Sequence, residues 1–470
     1  MTIPYIGIAQ ALASNVFPIT FSNIVFYLDP NPSPLLRAKY KSTDIQVRGL
    51  SEPNVAFYRS HESTNIRDGI TRFGAFENEQ RTIEIVPICY TELRDQMANL
   101  IQRVQNGYAR YKGSETTFNT RFLYNAIFTV DSISKILDEC RRLLHERPEW
   151  IGNAKLNRIF LVHTPESGFS LDDETSPYYQ TKRFLFENGI PCQMVDTPTI
   201  QNPDWKDLNL ALNIVAKCGI TPWVLPRGLP DADYFVGLSY TRSDRQGIQR
   251  LMGHANVFDP FGRWQFHLGN TDTFDYEERT KFFYELTERT LSRLRSSLSE
   301  TPSIYFHYSA KFSKDDREAV LKAARKFRSK GKYTFVWINK GHNVRLYDSR
   351  PQTDGSLSRG SYVITSPYQA YLSTTGYNPF QKTLGTPQPL ELNVWQHQPE
   401  TSPDTTPDMR AIALHILSLT KLNWASTGSL CGEPITTKYA GDIAYLTAAF
   451  LRQGKPLDLH PVLEHTPWFI

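Results

Sequence analysis

Between Arg158 and Trp223 the chain alternates short apolar runs with helix-like stretches in an order that few folds accept. Ile159-Phe160-Leu161-Val162 is β-branched and aromatic, which suits a buried strand. Pro177 to Asn188 follows, with Pro177 placed to open a helix and Gly189 to close it. Cys192 to Val195 reads as a return strand, so the three pieces make a βαβ unit with a ligand crevice at the strand ends. A second helix runs from about Leu208 to Cys218. Residues four apart share a helix face, which pairs Tyr178 with Lys182 and Asn213 with Lys217. If the two faces meet, they bring together two ammonium groups, a phenol and, with Gln193, two amides. That set suits a phosphate held without a glycine-rich cradle. A lone Tyr/Lys pair on a helix is usually surface decoration; its coincidence with Gln193, Lys217 and the chain's ending reverses that reading.

Composition narrows the class. At 470 residues the chain has room for two to four domains, and 40% hydrophobic with 13% aromatic residues is the make-up of a globular protein. No apolar run is long enough to cross a bilayer, and Met1-Thr2-Ile3-Pro4 lacks the basic start of a secretory signal, so the expected location is cytoplasmic with no membrane partner. Five scattered cysteines with no C-x-x-C spacing indicate neither a disulfide framework nor a zinc site. The net charge of +4 is small for a nucleic-acid binder of this size, so any such surface must be a local patch. Nine basic and three acidic residues between Lys311 and Lys332 supply one candidate. Contact with a phosphate backbone and a solvated helix face both fit it.

The rest of the chain continues the alternation. Residues 1 to about 70 hold extended pieces such as Ile24-Val25-Phe26-Tyr27-Leu28, broken by Pro30, Pro32 and Pro34. Arg81 to Ile88 reads as a strand, and Leu93, Met97, Leu100, Ile101 and Val104 form one helical stripe. Another helix begins near Asp131 and ends before Pro148. After about Ile220 come a strand at Tyr234 to Ser239, a long helix from about Tyr276 to Leu298 and a strand at Ile304 to His307. A helix at Asp315 to Ser329 and strands at Tyr333 to Ile338, Tyr362 to Thr365 and Leu390 to Trp395 follow, with closing helices near 408–420 and 440–452. Thr401 to Pro407 reads as a solvated loop.

Four motifs carry a more specific likeness. Pro177-Tyr178-Tyr179-x-x-Lys182, Gly189-Ile190-Pro191-x-Gln193, Lys217-x-Gly219-x-x-Pro222-Trp223 and the ending Thr466-Pro467-Trp468-Phe469-Ile470 resemble the Mid and Piwi modules of the short prokaryotic Argonautes. The likeness runs roughly from Gly69 to Ile470. It implies an α/β fold: a linker-like segment over 1–75, a Rossmann-like Mid domain over 76–220 and an RNase H-like Piwi domain over 221–470. The first segment is too short for the N-terminal and PAZ domains of the long forms, so a naturally short form is expected. In that family the Mid pocket holds the 5′ end of a guide strand. The resemblance implies that Tyr178 stacks on or hydrogen-bonds the first nucleotide, while Lys182, Gln193 and Lys217 hold its phosphate. It also implies a Mg²⁺ ion shared between the phosphates and the C-terminal carboxylate on Ile470. Asn213 stands where some relatives carry a metal-holding glutamine, one methylene longer. The plain reading of Trp468-Phe469-Ile470, a terminus docked on a core, is compatible with that role.

An RNase H-like nuclease holds two Mg²⁺ ions about 4 Å apart with several carboxylates. Aligned on the family's motifs, those positions fall at Ser239, Ser309 and Gly441. A serine hydroxyl is neutral and glycine has no side chain, while Asp442 is turned away by about 100° on a helix. The resemblance therefore implies no catalytic residues and no enzyme activity. An active guide-directed nuclease using shifted acids such as Asp231, Asp233, Asp315 or Asp316 is the alternative. The implied partners are a guide RNA, a single-stranded DNA target and an APAZ-containing effector chain, sirtuin-like in preference to TIR. That effector would consume NAD on target recognition, in defence against phages or plasmids.

Overall fold

The computed structural model describes residues 47–165, 176–245, 248–269, 274–275, 278–346, 356–376, 388–397, 406–428, 431–452 and 456–470, with a few short pieces before residue 47. The first unit is built from β1 (Arg81–Tyr90), α1 (Arg94–Asn106), β2 (Thr120–Leu123), β3 (Phe128–Val130) and α2 (Ser134–Glu146). It continues through β4 (Arg158–Thr164), α3 (Pro177–Glu187), β5 (Cys192–Asp196) and α4 (Asp207–Lys217). The strands form one parallel sheet in the order β3-β1-β4-β5, with β2 also on β1. β4 is buried from Ile159 to Thr164, as a strand covered by helices on both faces must be. Its near-continuous apolar run is what made it legible. The chain moves from β1 to β3 on one side and to β4 and β5 on the other, so the direction of winding changes between β1 and β4. Met97, Leu100, Ile101 and Val104 of α1 form the expected buried stripe.

The second unit holds β6 (Tyr234–Arg245), β7 (Ile248–Phe258), β8 (Trp264–Gly269), α5 (Arg279–Leu294), β9 (Ser303–Tyr308) and α6 (Lys314–Phe327). β10 (Lys332–Asn339), β11 (Ser361–Ser366), β12 (Gln369–Leu372), β13 (Leu390–His397), α7 (Met409–Leu419) and α8 (Ile435–Arg452) complete it. The sheet order is β8-β7-β6-β9-β10-β13-β12-β11, followed by the short strand Val47–Gly49. β6 with β9 and β9 with β10 are parallel, and the remaining neighbours are antiparallel. On one face Val236, Leu238 and Phe306 pack with Phe282, Phe283 and Leu321 of α5 and α6. On the other face α8 presses on β6, where a Cβ at Gly237 would lie 2.1 Å from Thr436 O. His415 of α7 meets Phe235 and Tyr305 edge-on there.

Two features escaped the reading of periodicity. The hairpin β7–β8 carries Gly253, His254, Asn256, His267 and Gly269, which break the apolar alternation that marks a strand. Val47–Gly49 lies in the segment expected to be linker-like, yet it pairs with β11 at the sheet edge. Three residues are too few for any period to show. Ile24–Phe26 pairs with Ile19–Phe21, whereas Tyr27 and Leu28, and most of the loop expected at Thr401 to Pro407, lie outside the described residues.

The chain's ending joins the two units. Trp468 is fully buried, edge-on to Phe186 of α3 at 4.9 Å and to His267 of β8 at 5.8 Å. Phe469 packs on Trp264 and Tyr439 at 5.7 and 5.0 Å. The bond from Trp223 Nε1 to Lys421 O, 3.0 Å, ties the connection between the units to the second sheet's helical layer.

Candidate functional site

Local rules place the pocket's side chains. Pro177 opens α3 at a position whose N–H needs no helical partner, and Gly189, at φ +70°, ends it in the left-handed region that favours glycine. Tyr178 and Lys182 therefore sit one turn apart, with the Lys182 ammonium 4.9 Å from the centre of the Tyr178 ring. Tyr179 meets Tyr178 edge-on at 5.0 Å and reaches Phe450 of α8 at 6.3 Å. Register then brings in the second helix. Lys217, the last residue of α4, donates from Nζ to Cys192 O at 2.9 Å and to Gln193 Oε1 at 2.8 Å, both on β5. Gln193 Nε2 donates to Met194 O at 2.9 Å, which fixes the orientation of its amide.

The electrostatics of this pair are unusual. Lys182 is 7% and Lys217 1% exposed, and neither forms an ion pair with a carboxylate among the described residues. Burial, reinforced by the charge of Lys182, pushes Lys217 down to about 7. Desolvation pulls Lys182 down too, but Tyr178 and Cys192 together offset it and the ammonium is held above its ordinary value. Two buried cations without an anion cost free energy that a bound anion removes. Asn213 lies one turn before Lys217, and its Oδ1 is buried with no hydrogen-bond partner among the described residues. Ile470 is half-buried against the core, its amide donating to Pro467 O at 3.3 Å.

Sequence reasoning missed the floor beside Tyr178. His163 and Thr181 line a narrow crevice with Tyr178, Ile133, Ile136 and Met194. His163 Nδ1, Thr181 Oγ1 and Ser176 Oγ are buried without partners among the described residues. Burial holds the His163 imidazole below its ordinary pKa, and its Nε2 lies 3.0 Å from Thr197 Oγ1. The only signal in the sequence was a lone histidine ending an apolar strand, which on its own reads as core.

The three positions aligned with nuclease acids come together in the second unit. Leu238 pairs with Tyr308 across β6 and β9, so Ser239 and Ser309 follow side by side. The Ser239 hydroxyl donates to Ala440 O of α8 at 2.8 Å, immediately before Gly441. A Cβ at Gly441 would meet nothing within 4 Å, and Ser309 is exposed. Asp442 pairs with Lys438 at 2.8 Å. Of the alternative acids, Asp316 is buried and held by Arg279 at 2.7 Å while it caps α6. Asp233 accepts from Ser303 N at 2.8 Å. No group of three His, Cys, Asp or Glu suited to a metal occurs among the described residues.

The basic stretch around α6 is largely engaged within the fold. Lys326 pairs with Glu288, Arg325 Nη2 lies 3.0 Å from His397 Nε2, Arg317 stacks on Trp395, and Arg328 donates to carbonyls of Arg295, Leu298 and Ser299. Intramolecular contacts therefore engage much of a patch for which backbone contact and a solvated helix face both remain open.

A parallel α/β unit with the buried Lys182 and Lys217 beside its β5, joined to a mixed sheet, defines an Argonaute-like fold of Mid and Piwi type. No protein-family model matches the chain. The Argonaute of Aquifex aeolicus (strain VF5) is 24% identical over 293 residues, which cover 60% of this chain and 36% of that protein. The solved structure of Clostridium butyricum Argonaute, bound to a guide DNA with a 5′ deoxycytidine and a 19-mer target DNA, superposes with a TM-score of 0.67 at 19% identity. The match covers 92% of this chain and 55% of that one. The Aquifex aeolicus Argonaute structure gives 0.60 at 18% identity, covering 90% and 56%. The chain thus spans about a third to a little over half the length of these relatives. No helix among the described residues is long and apolar enough to cross a membrane.

Proposed function

We propose that this chain holds a guide strand, RNA in the first instance, by its phosphorylated 5′ end, and offers it for pairing with single-stranded DNA without cutting the target. The observation that carries this reading is the pair of buried, anion-free ammonium groups of Lys182 and Lys217, set beside the Tyr178 ring and the Gln193 amide. The guide DNA and target DNA bound in the Clostridium butyricum structure support guide and target binding, though not the RNA guide, by analogy of fold. A divalent cation beside the phosphate fits the unpartnered Asn213 Oδ1, because hard cations take oxygen ligands. The C-terminal carboxylate of Ile470, Asn213 and the phosphate oxygens would hold it, and its chemistry there is to neutralise charge.

Target cleavage is not expected, because Ser239 already satisfies Ala440 O and neither serine nor glycine can hold Mg²⁺ as a carboxylate does. The same reading assigns target recognition to a signalling role. An APAZ-containing effector, sirtuin-like and NAD-consuming, completes the complex in defence against phages or plasmids, and the chain acts in the cytoplasm. The deciding experiment compares affinity for 5′-phosphorylated and 5′-hydroxyl guides in the wild type and in Lys182→Ala at one salt concentration. A loss confined to the phosphorylated guide supports the pocket. Equal losses for both ends show general backbone contact, and the pocket is then given up. Co-purification with the product of the neighbouring gene tests the partner.

A further inference from the structure

We propose that Met252, His254 and His267 form a binding site for a soft monovalent metal ion of the Cu(I) class, on the wall of the cavity between the two units. The cavity holds about 710 Å³ and runs from α3 of the first unit to β7, β8 and α8 of the second. On β7, Met252 and His254 are two residues apart and share a face. On β8, Gly269 pairs with His254, and His267 is diagonal to it on the same face. The missing side chain of Gly269 leaves the space on which the three converge. A Cβ there would lie 3.5 Å from Met252 Cε, 3.6 Å from His254 Nδ1 and 3.6 Å from His267 Nε2.

Hydrogen bonding behind the imidazoles sets which nitrogens are bare. Thr447 Oγ1 lies 2.7 Å from Ile443 O, Thr241 Oγ1 lies 3.0 Å from Ala444 O, and the two hydroxyls are 2.6 Å apart. His254 Nε2 lies 3.1 and 2.9 Å from those two hydroxyl oxygens, and in the tautomer that donates to them Nδ1 keeps its lone pair. That Nδ1 is fully buried and has no partner among the described residues. His267 Nδ1 lies 2.8 Å from Asn256 Oδ1 and donates to it, so its Nε2 is bare as well. Outer hydrogen bonds of this kind orient metal-binding histidines. Burial lowers His254 to about 3 and His267 well below its ordinary value, so both rings are neutral, as ligation requires.

The donor set selects the ion. Two imidazoles and a thioether are soft, neutral ligands, and no third His, Cys, Asp or Glu joins them among the described residues. The cavity wall carries charges of both signs, Asp458 among them. Arg289 sits with Nη1 on Gly269 O at 2.9 Å, while Glu187 is held by Arg183 and Glu464 by Arg293. A monovalent cation adds the least uncompensated charge to such a wall.

The test is an anaerobic titration of the full chain with Cu(I) in competition with bicinchoninate, with Zn²⁺ as the comparison. We expect one equivalent bound, Cu(I) preferred over Zn²⁺, and at least a tenfold loss of affinity in Met252→Leu and in His267→Gln. X-ray absorption of the loaded wild type should show one sulfur and two nitrogens, a readout that holds even where a variant folds poorly. Absence of binding, preference for Zn²⁺, a first shell without sulfur, or folded variants with wild-type affinity would each overturn the proposal.

Discussion

The pocket around Lys182 and Lys217 and the corner around Ser239 and Gly441 use the same construction, a helix laid on a strand, and end in opposite electrostatic states. In the corner the Ser239 hydroxyl has its acceptor on Ala440, and Asp442 has its cation on Lys438. In the pocket Lys217 reaches only neutral oxygens, and no carboxylate offsets either ammonium among the described residues. A buried polar group with its partner in place adds stability, whereas a buried charge without one is a liability that a ligand can relieve. The difference teaches where binding energy is stored. The corner's polar groups are partnered within the fold, whereas on the proposed reading an anion would complete the pocket.

The largest effect that could break this contrast comes from the pocket. Lys182→Ala should weaken binding of a 5′-phosphorylated guide by about 1.5–3 kcal/mol, roughly tenfold to a hundredfold, and leave a 5′-hydroxyl guide nearly unchanged. Filter binding at fixed salt measures both. Lys217→Met should cut the same affinity while raising the melting temperature of the free protein, because it removes a buried charge that nothing balances. A variant that lost stability and affinity together would show that Lys217 serves the fold.

Acidity sharpens the comparison further. Lys217 titrates near 7 in the fold and near the ordinary lysine value of about 10.4 when unfolded. Between those values the unfolded chain binds more protons, so this residue makes stability rise with pH through that window. Guide binding should show the reverse trend, because the phosphate needs the proton that Lys217 gives up as pH rises above about 7. Thermal melts and affinities at pH 6.5, 7.5 and 8.5 should diverge in the wild type, and Lys217→Met should remove that residue's share of both slopes.

Smaller effects belong to the corner. Ser239→Asp sets a carboxylate against Ala440 O, and it should lower stability by about 1–3 kcal/mol without producing target cleavage in Mg²⁺ or Mn²⁺. Asp442→Asn should change stability by no more than about 1 kcal/mol, as expected for a half-buried i,i+4 pair, and leave guide and target binding intact. Cleavage by the wild type that disappears in Asp442→Asn would restore the nuclease reading.

The sequence by itself determined the elements whose patterns are local. The apolar run of β4, the Pro177 and Gly189 limits of α3 and the four-residue spacings of Tyr178 with Lys182 and Asn213 with Lys217 were legible, because helix and strand periodicity depend on near neighbours. The hairpin β7–β8 was not, since its glycines, histidines and Asn256 are tolerated only where α8 and the chain's ending cover them. Only the tertiary structure decided that Val47–Gly49 would close the edge of a sheet hundreds of residues away in sequence. It also decided that Trp468 would be clamped between Phe186 and His267, and that the two lysines would be buried without an anion. These outcomes depend on desolvation and on contacts between distant segments, and no periodicity along the chain encodes either.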